Sequence, residues 1–392
     1  MDLTPKYNEE LDKILKYWGT VAFDREDELF YGRVDENNHR DINAPLGLVM
    51  YARILWSFST GFQSTQNPLH LEMADFAYRT LLSYFFDKTF GGNYWMVDFN
   101  GVPLSDQKQI YGIAFAIYGL TAYYKVNNDA TVLGDAIELY QIIEKHSHDK
   151  VKGGYFEAFN RDWTTATDLR ISAKDANEKK TMNTHLHVLE AYASLYKIWP
   201  DAILKEQIKS LLNLFNDKIF NPKTLRFNLF MNEDWEVKSN TISYGHDIEA
   251  TWLLYDAALT IKEPNLIEIT RKLALTITGH MLADFNDDGS LPYEFEPNSN
   301  QLINEKHWWV QAEACVGLLN AWQLSGDEKF LAYFEKNWSF IEKYLIDHQN
   351  GEWFWGLTSS NGLMKGQDKA GFWKCPYHNT RSLLEIMTRL SN

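Results

Sequence analysis

Cysteine is nearly missing from this sequence: Cys315 and Cys375 are the two examples among 392 residues. Disulfide bonds therefore do not form the framework of the fold, and a reducing compartment, the cytoplasm, is predicted. The first residues lack the basic region followed by an apolar region that marks a secretory signal. No apolar run reaches the 18 residues of a membrane span, so none is expected. Both cysteines lie among apolar or aromatic neighbours and are predicted to be core thiols.

Positive charge is also scarce. The chain has 38 Lys and Arg residues against 53 Asp and Glu residues, which gives a formal net charge of −15. A nucleic-acid-binding protein usually carries a basic patch, and the sequence contains none. The acidity also argues against anionic membranes as partners. A small molecule is the expected partner.

Aromatic residues, by contrast, are abundant. The chain contains 14 Trp, 21 Tyr and 23 Phe residues. Most of them must belong to the core, but an excess of flat rings is also typical of clefts that cover the C–H faces of sugars. The composition therefore favours a carbohydrate as the small-molecule partner.

A short aromatic segment with glycines recurs about every 60–70 residues. Its six copies lie at 29–32, 91–95, 153–156, 225–228, 289–293 and 351–355. Glycines followed by alternating aromatic residues predict a tight turn that leads into a short strand. The copy at 225–228 lacks its glycine and is the weakest of the six.

Two helical patterns flank each copy. The runs before the copies are amphipathic, as expected of helices with one wet face: 6–18, 71–86, 131–146, 202–216, 265–283 and 329–345. The runs after them are apolar on most sides, as expected of buried helices: 44–62, 110–124, 181–198, 245–258, 308–324 and 376–390. Six outer and six inner helices predict an all-α fold, an (α/α)6 barrel with short hairpins, as one catalytic domain over 1–392.

An open superhelical solenoid is the structural alternative. Closure is favoured, because an open array would leave one side of the inner helices wet. The longest irregular stretch, at about 160–180, is predicted to be a loop over the mouth of the barrel.

The segment 243–254 carries the clearest chemical signal. His246 and Glu249 are three residues apart at the start of a predicted inner helix and so share one of its faces. A carboxylate in that position can hold an imidazole in one tautomer and raise its basicity, which prepares a general acid/base. The alternative is a helix N-terminus with an incidental histidine.

Other polar and aromatic residues fall near the starts of the other inner helices. They include Arg53, Tyr111, Asn183, His187, Trp309, Trp373 and His378. In a closed barrel of this kind every inner helix starts at the same end, so these residues are predicted to converge on one rim. A buried guanidinium such as that of Arg53 needs partners, which favours a functional role.

A metal site is one interpretation of this rim. His187 and Glu190 repeat the spacing of His246 and Glu249, and His378 could add a further ligand. No third carboxylate or cysteine sits at ligand spacing, and three histidines spread over three repeats suit a sugar-sized cavity. The favoured interpretation is therefore acid/base work by paired histidines without a metal.

Three segments carry a resemblance to a known family. The sequences at 181–187, 243–249 and 373–379 resemble the signature segments of cellobiose 2-epimerases, within the N-acylglucosamine 2-epimerase superfamily. The resemblance covers essentially the whole chain. It implies an (α/α)6 barrel and an isomerase that needs no cofactor. It also implies reversible epimerisation at C2 of the reducing-end sugar of a β-1,4-linked disaccharide such as cellobiose or lactose, through ring opening and a cis-enediol. The protein would be a monomer or a homodimer.

The resemblance also implies roles for individual residues. His246 and His378 would be the acid/base pair, and Glu249 would orient His246. Arg53 would stabilise the enediolate charge, and His187 would bond to sugar oxygens or assist ring opening. The remaining residues would hold the sugar: Tyr111 and Asn183 by hydrogen bonds, Trp309 and Trp373 by stacking, and Asp175 by reaching a hydroxyl from the loop.

Three alternatives remain open at this point. A mannose 2-epimerase or aldose–ketose isomerase of the same superfamily would keep the histidines but close the cavity beyond the first sugar. A glycoside hydrolase on the same barrel would need two carboxylates that flank a glycosidic bond. A non-catalytic sugar-binding protein would need only the aromatic residues.

Overall fold

Twelve α-helices account for most of the computed structural model, which describes residues 4–391. In chain order they are α1 (Thr4–Thr20), α2 (Leu48–Thr65), α3 (Pro68–Thr80), α4 (Ile110–Asn127), α5 (Ala130–His146), α6 (Met182–Ile198), α7 (Ala202–Leu214), α8 (Tyr244–Ile261), α9 (Pro264–Met281), α10 (Trp308–Ser325), α11 (Glu328–Phe340) and α12 (Tyr377–Ser391). Shorter helical turns extend four outer helices at Leu81–Phe85, Phe215–Ile219, Leu282–Asp284 and Ile341–Leu345.

The apolar pattern decides which helices lie inside. Every residue of α4 from Ile110 to Ile117 is buried, because hydrophobic and small side chains surround the helix. In the next helix, α5, burial is confined to one face, with residues such as Val132, Ala136 and Ile143 at helical spacing. The predicted alternation of outer and inner helices is confirmed.

The six even-numbered helices form a closed inner ring. Each packs against the next, from α2 through α4, α6, α8 and α10 to α12, and α12 packs back against α2. The outer helix α1 also packs against α12, so the two ends of the chain meet. The fold is an (α/α)6 barrel, as predicted, and not a solenoid. None of the helices in residues 4–391 has the length and hydropathy needed to span a membrane.

Short strands connect the helices. They are β1 (Phe23–Asp24), β2 (Leu29–Phe30), β3 (Arg33–Val34), β4 (Arg40–Asp41), β5 (Leu46–Gly47), β6 (Met96–Val97), β7 (Pro103–Ser105), β8 (Lys108–Gln109), β9 (Ala158–Phe159), β10 (Lys180–Thr181), β11 (Phe220–Asn221), β12 (Arg226–Phe227), β13 (Phe230–Met231), β14 (Ile242–Ser243), β15 (Glu294–Glu296), β16 (Gln301–Ile303), β17 (Lys306–His307) and β18 (Gly356–Leu357). All the pairs are antiparallel, and the two largest sheets, β5-β6-β7 and β14-β15-β16, have three strands.

These strands bring the starts of the inner helices together. β5, β8, β10, β14 and β17 lead directly into inner helices, and each pairs with a strand that follows that helix in the chain. The last inner helix is tied in by a bridge between Val34 and Ala370. At the weakest repeat, Leu225 takes the left-handed conformation with φ 56°, where other copies have glycine.

Buried ion pairs fasten two of the hairpins to the inner ring. Lys108 Nζ donates to Asp87 Oδ2 at 2.8 Å, and neither side chain is exposed. Lys180 makes the equivalent bond to Asp149 at 2.8 Å. Each lysine precedes an inner helix, and each aspartate lies in the turn that follows an outer helix. Sequence periodicity did not reveal these pairs.

Breaking one of these pairs should be costly. The Asp87→Ala variant leaves the Lys108 ammonium buried without its carboxylate, so we expect its free energy of unfolding to fall by about 3–5 kcal/mol. Urea denaturation measures the change, and Glu9→Ala, which removes an exposed pair with Lys13, is the control expected to leave it nearly unchanged. A loss as small as the control's would contradict the structural role of the pair.

Candidate active site

A cavity of about 330 Å³ opens where the inner helices begin. All ten residues predicted for the site line it: Arg53, Tyr111, Asp175, Asn183, His187, His246, Glu249, Trp309, Trp373 and His378. Each of the six inner helices contributes at least one of them. The convergence expected from the repeat is therefore confirmed as geometry.

The irregular loop covers part of this cavity, as predicted. Leu169, Ile171, Lys174 and Asp175 all belong to its lining. Asp175 accepts a hydrogen bond from the backbone nitrogen of Ser172 at 2.9 Å, which holds the carboxylate within the loop. Burial raises the pKa of Asp175 above its ordinary value.

His378 is held by a carboxylate that the sequence did not reveal. Its Nδ1 lies 2.7 Å from Oε1 of Glu313, which comes from α10, and Trp252 donates to the other oxygen at 3.1 Å. A carboxylate acceptor on Nδ1 favours the tautomer that leaves a lone pair on Nε2. Burial, together with Arg53 and Arg381, lowers the pKa of His378 well below its ordinary value. The ring is therefore neutral near pH 7 and can accept a proton.

His246 has a different partner from the predicted one. Its Nδ1 lies 2.7 Å from the hydroxyl of Ser243, whereas Glu249 accepts a bond from Nη2 of Arg381 at 2.5 Å. The prediction that Glu249 orients His246 is wrong, because the guanidinium is a charged donor and draws the carboxylate away from the imidazole. Burial, with His187 and Arg53 adding to it, lowers the pKa of His246 to about 3.

Trp309 contacts both histidines. Its ring centroid is 4.9 Å from that of His246 and 5.6 Å from that of His378. Gly245 makes this position possible, because a Cβ there would lie 2.3 Å from the Trp309 ring. The two imidazoles and the indole therefore line the same part of the cavity.

The second histidine–glutamate pair, which repeats the spacing of the first, is joined by a hydrogen bond. His187 Nδ1 lies 2.9 Å from Oε2 of Glu190, and Tyr377 donates to the other oxygen at 2.8 Å. Burial alone would raise the pKa of Glu190, but Arg381 and His187 hold it at about 2. The carboxylate is therefore charged and keeps the His187 ring in place.

Arg381 is the main residue that the sequence analysis missed. Its buried guanidinium bonds to Glu190, to Glu249 at 2.5 Å and to Glu313 at 2.6 Å. Burial and the neighbouring Glu313 raise the pKa of Glu249 to about 7, and burial raises that of Glu313. The sequence did contain a signal for it: an arginine one turn after His378 on a predicted inner helix. Like Arg53, it is a charged side chain in a helix that is expected to be buried.

The buried guanidinium of Arg53 belongs to the cavity lining. Its Nη2 donates to the Tyr111 hydroxyl at 2.9 Å, and its guanidinium lies 4.2 Å from the centre of the Phe115 ring. Its Nε is buried and has no hydrogen-bond partner within residues 4–391, and the same holds for Oδ1 of Asn183. Buried polar atoms without partners are costly, so a bound ligand would be expected to satisfy them.

A third carboxylate does lie close to two of the candidate metal ligands. No third carboxylate was apparent from sequence spacing, but the fold brings Glu313 beside Glu249 and His378, with ligand atoms within 4.8 Å of one another. Nη2 of Arg381 already contacts both carboxylates. A metal ion there would have to compete with this fixed positive charge, so the donor set fits a cation poorly.

Comparison with known proteins identifies the family. The sequence profile of N-acylglucosamine 2-epimerase (GlcNAc 2-epimerase) matches residues 30–382. The chain belongs to this family. The predicted fold family and the isomerase class are confirmed by this membership.

Three relatives illustrate the similarity. The chain is 42% identical to a cellobiose 2-epimerase of Bacteroides fragilis over 375 residues, 96% of each chain. It is 37% identical to a cellobiose 2-epimerase of Dictyoglomus turgidum, over 97% of this chain and 96% of the relative. The solved structure of a cellobiose 2-epimerase from Bacillus thermoamylovorans B4167 superposes with a TM-score of 0.93 at 38% identity, covering 98% of this chain and 99% of that one.

Proposed function

We propose that this isomerase epimerises C2 of the reducing-end sugar of β-1,4-linked disaccharides, from cellobiose to glucosyl-mannose and from lactose to epilactose, without a cofactor. The observation that carries the proposal is that two histidines from different inner helices, His246 and His378, both line the cavity and both contact the ring of Trp309. The names of the relatives, which are 42% and 37% identical over nearly their whole length, support the disaccharide as substrate.

The chemistry begins with opening of the sugar ring, because the C2 proton becomes acidic only beside a free aldehyde. In this proposal His187, which is held by Glu190, exchanges a proton with the ring oxygen or the anomeric hydroxyl. A carboxylate partner on Nδ1 leaves Nε2 of His187 as the nitrogen that serves the sugar.

Inversion follows by proton transfer at C2. One imidazole takes the C2 proton, and the electrons of the broken C–H bond pass into a cis-enediolate. Arg53, whose Nε has no hydrogen-bond partner within residues 4–391, stabilises the negative charge on its oxygens. The second imidazole, as imidazolium, returns a proton to the opposite face of C2. Two groups are useful because one base does not easily reach both faces.

The remaining candidate residues hold the sugar. Tyr111 and Asn183 supply hydrogen bonds, Trp309 and Trp373 stack on the two rings, and Asp175 reaches a hydroxyl from the loop. The Trp373 ring lies 6.3 Å from Tyr111 and 5.9 Å from Trp95, centroid to centroid, so it is braced on the cavity wall.

The two acids beside the histidines do not suit glycoside hydrolysis. A hydrolase needs one carboxyl group as acid and a second as nucleophile or base, on either side of the scissile bond. Here Glu249 and Glu313 both bond to Nη2 of Arg381, which holds both carboxylates.

A substrate panel tests the assignment. Chelator-treated protein incubated with cellobiose, lactose and mannose is expected to give glucosyl-mannose and epilactose, with mannose converted more slowly. Anion-exchange chromatography separates these products. Conversion of mannose alone would move the enzyme to the monosaccharide isomerases, and release of free glucose would establish a hydrolase.

Three further features stay predictions: one catalytic domain over 1–392, a location in the cytoplasm, and a monomeric or homodimeric state.

A further inference from the structure

Ser243 occupies the position of a helix cap without acting as one. It is the residue before α8, where serine usually accepts a hydrogen bond from a backbone nitrogen of the first turn. Its side chain makes no such capping bond; its hydroxyl lies 2.7 Å from Nδ1 of His246 instead. Asp201, before α7, shows the usual arrangement and accepts from the backbone nitrogens of Ile203 and Leu204.

The two candidate acid/bases therefore have partners of different chemistry. Glu313, beside His378, is a carboxylate that stabilises a positively charged imidazole. Ser243, beside His246, is a neutral hydroxyl that accepts from Nδ1–H or donates to bare Nδ1. A hydroxyl holds the ring but stabilises its cationic form less than a carboxylate does, so the His246 imidazolium is the better proton donor.

We infer that Ser243 is a positioning residue for the epimerisation: its hydroxyl aims Nε2 of His246 at C2 and keeps this imidazole ready to give its proton back. The inference rests on the proposed function. In the return step the Nε2–H bond of the His246 imidazolium breaks, the proton forms the new C2–H bond with the enediolate electrons, and Nδ1–H stays bonded to Ser243. In the reverse reaction bare Nε2 takes the C2 proton.

Burial supports this role. Ser243 is 1% exposed, so water does not readily replace its hydroxyl when the side chain is removed. His246 would then keep an unpartnered Nδ1 and could rotate. Removing the outer partner of a metal-bound histidine costs about 10- to 100-fold in activity, and we expect a loss in kcat of that size here.

The experiment compares Ser243→Ala with Ser243→Thr and with Asp201→Ala, which removes a true cap from an outer helix. Each protein is incubated in D2O with cellobiose and separately with its C2 epimer, and NMR follows deuterium at C2 in both the recovered substrate and the product. In Ser243→Ala we expect kcat to fall about 10- to 100-fold with little change in KM. Ser243→Thr, which keeps the hydroxyl, restores most of the rate, and Asp201→Ala lowers the melting temperature only.

The ratio of deuterium exchange at C2 to inversion at C2 is a more specific measurement than kcat. When His246 is impaired, His378 still removes and returns a proton at its own face, so deuterium enters one of the two epimers without inversion. The ratio therefore rises for that epimer and not for the other. A proportional loss of exchange and inversion with both epimers, or wild-type rates in Ser243→Ala, would overturn the inference. Absence of exchange and inversion in the wild-type enzyme would instead overturn the proposed function.

Discussion

The His378→Asn and His246→Asn variants should each lose about 10²- to 10⁴-fold in kcat on cellobiose, the usual contribution of a general acid or base. Asparagine keeps the size and polarity of the site but cannot carry a proton to or from carbon. Because the lowered pKa values keep both imidazoles neutral near pH 7, their loss removes a reacting group and only weakly affects charge. Steady-state kinetics measures the change, with circular dichroism to verify the fold.

Two other histidines serve as matched controls. His70 is buried on α3, bonded to Thr65 at 2.8 Å and outside the cavity lining, and His39 is exposed beside Asp35. His70→Asn is expected to lower stability and His39→Asn to change little, and both should keep kcat within a few-fold. Near-wild-type turnover in His246→Asn or His378→Asn would refute the two-histidine mechanism.

The Arg381→Met variant should lose both stability and activity. Glu190, Glu249 and Glu313 would remain buried without their shared positive charge, a situation that costs about 3–5 kcal/mol of unfolding free energy. Activity should fall because Glu190 and Glu313 orient His187 and His378. Arg381→Lys should rescue only part of either loss, because one ammonium cannot reproduce the fork of a guanidinium.

The loss in Arg381→Met should grow with pH. The folded-state pKa of Glu249, about 7, lies above its ordinary value of 4.5, so the folded protein binds more protons than the unfolded protein between these values. Stability therefore falls as pH rises through that window. Arg381 lowers the pKa of Glu249, so its removal deepens and extends this fall.

Urea denaturation at pH 5 and pH 8 measures the difference. Arg25→Met, which breaks an exposed pair with Glu72, is the control and should cost less than about 1 kcal/mol at both pH values. An Arg381→Met variant that is equally stable at the two pH values would contradict the charge-balancing role of the guanidinium.

The architecture was predictable because the spacing of apolar residues along each helix specifies which side is buried. Burial around α4 and one-sided burial along α5 follow directly from their apolar patterns. Six repeats of this alternation specify a closed ring, and closure brings the helix starts to one rim. The site residues could therefore be placed together although they lie as far apart in the chain as Arg53 and His378.

Hydrogen-bond partners were less predictable. Spacing along α8 put Glu249 near His246, but it contained no information about Arg381, 132 residues away, which takes the carboxylate. Glu313 reaches His378 from another helix, 65 residues earlier in the chain. Such choices depend on which charged donors the closed ring brings together, and local sequence does not encode them.

The most direct test of the central claim is proton NMR of chelator-treated enzyme with cellobiose in D2O. Transfer through two histidines predicts glucosyl-mannose that carries deuterium at C2 of its reducing-end sugar from the first turnover, because the returning proton comes from an imidazolium that exchanges with solvent. Glucosyl-mannose that retains the original hydrogen at C2 would contradict proton transfer through two histidines.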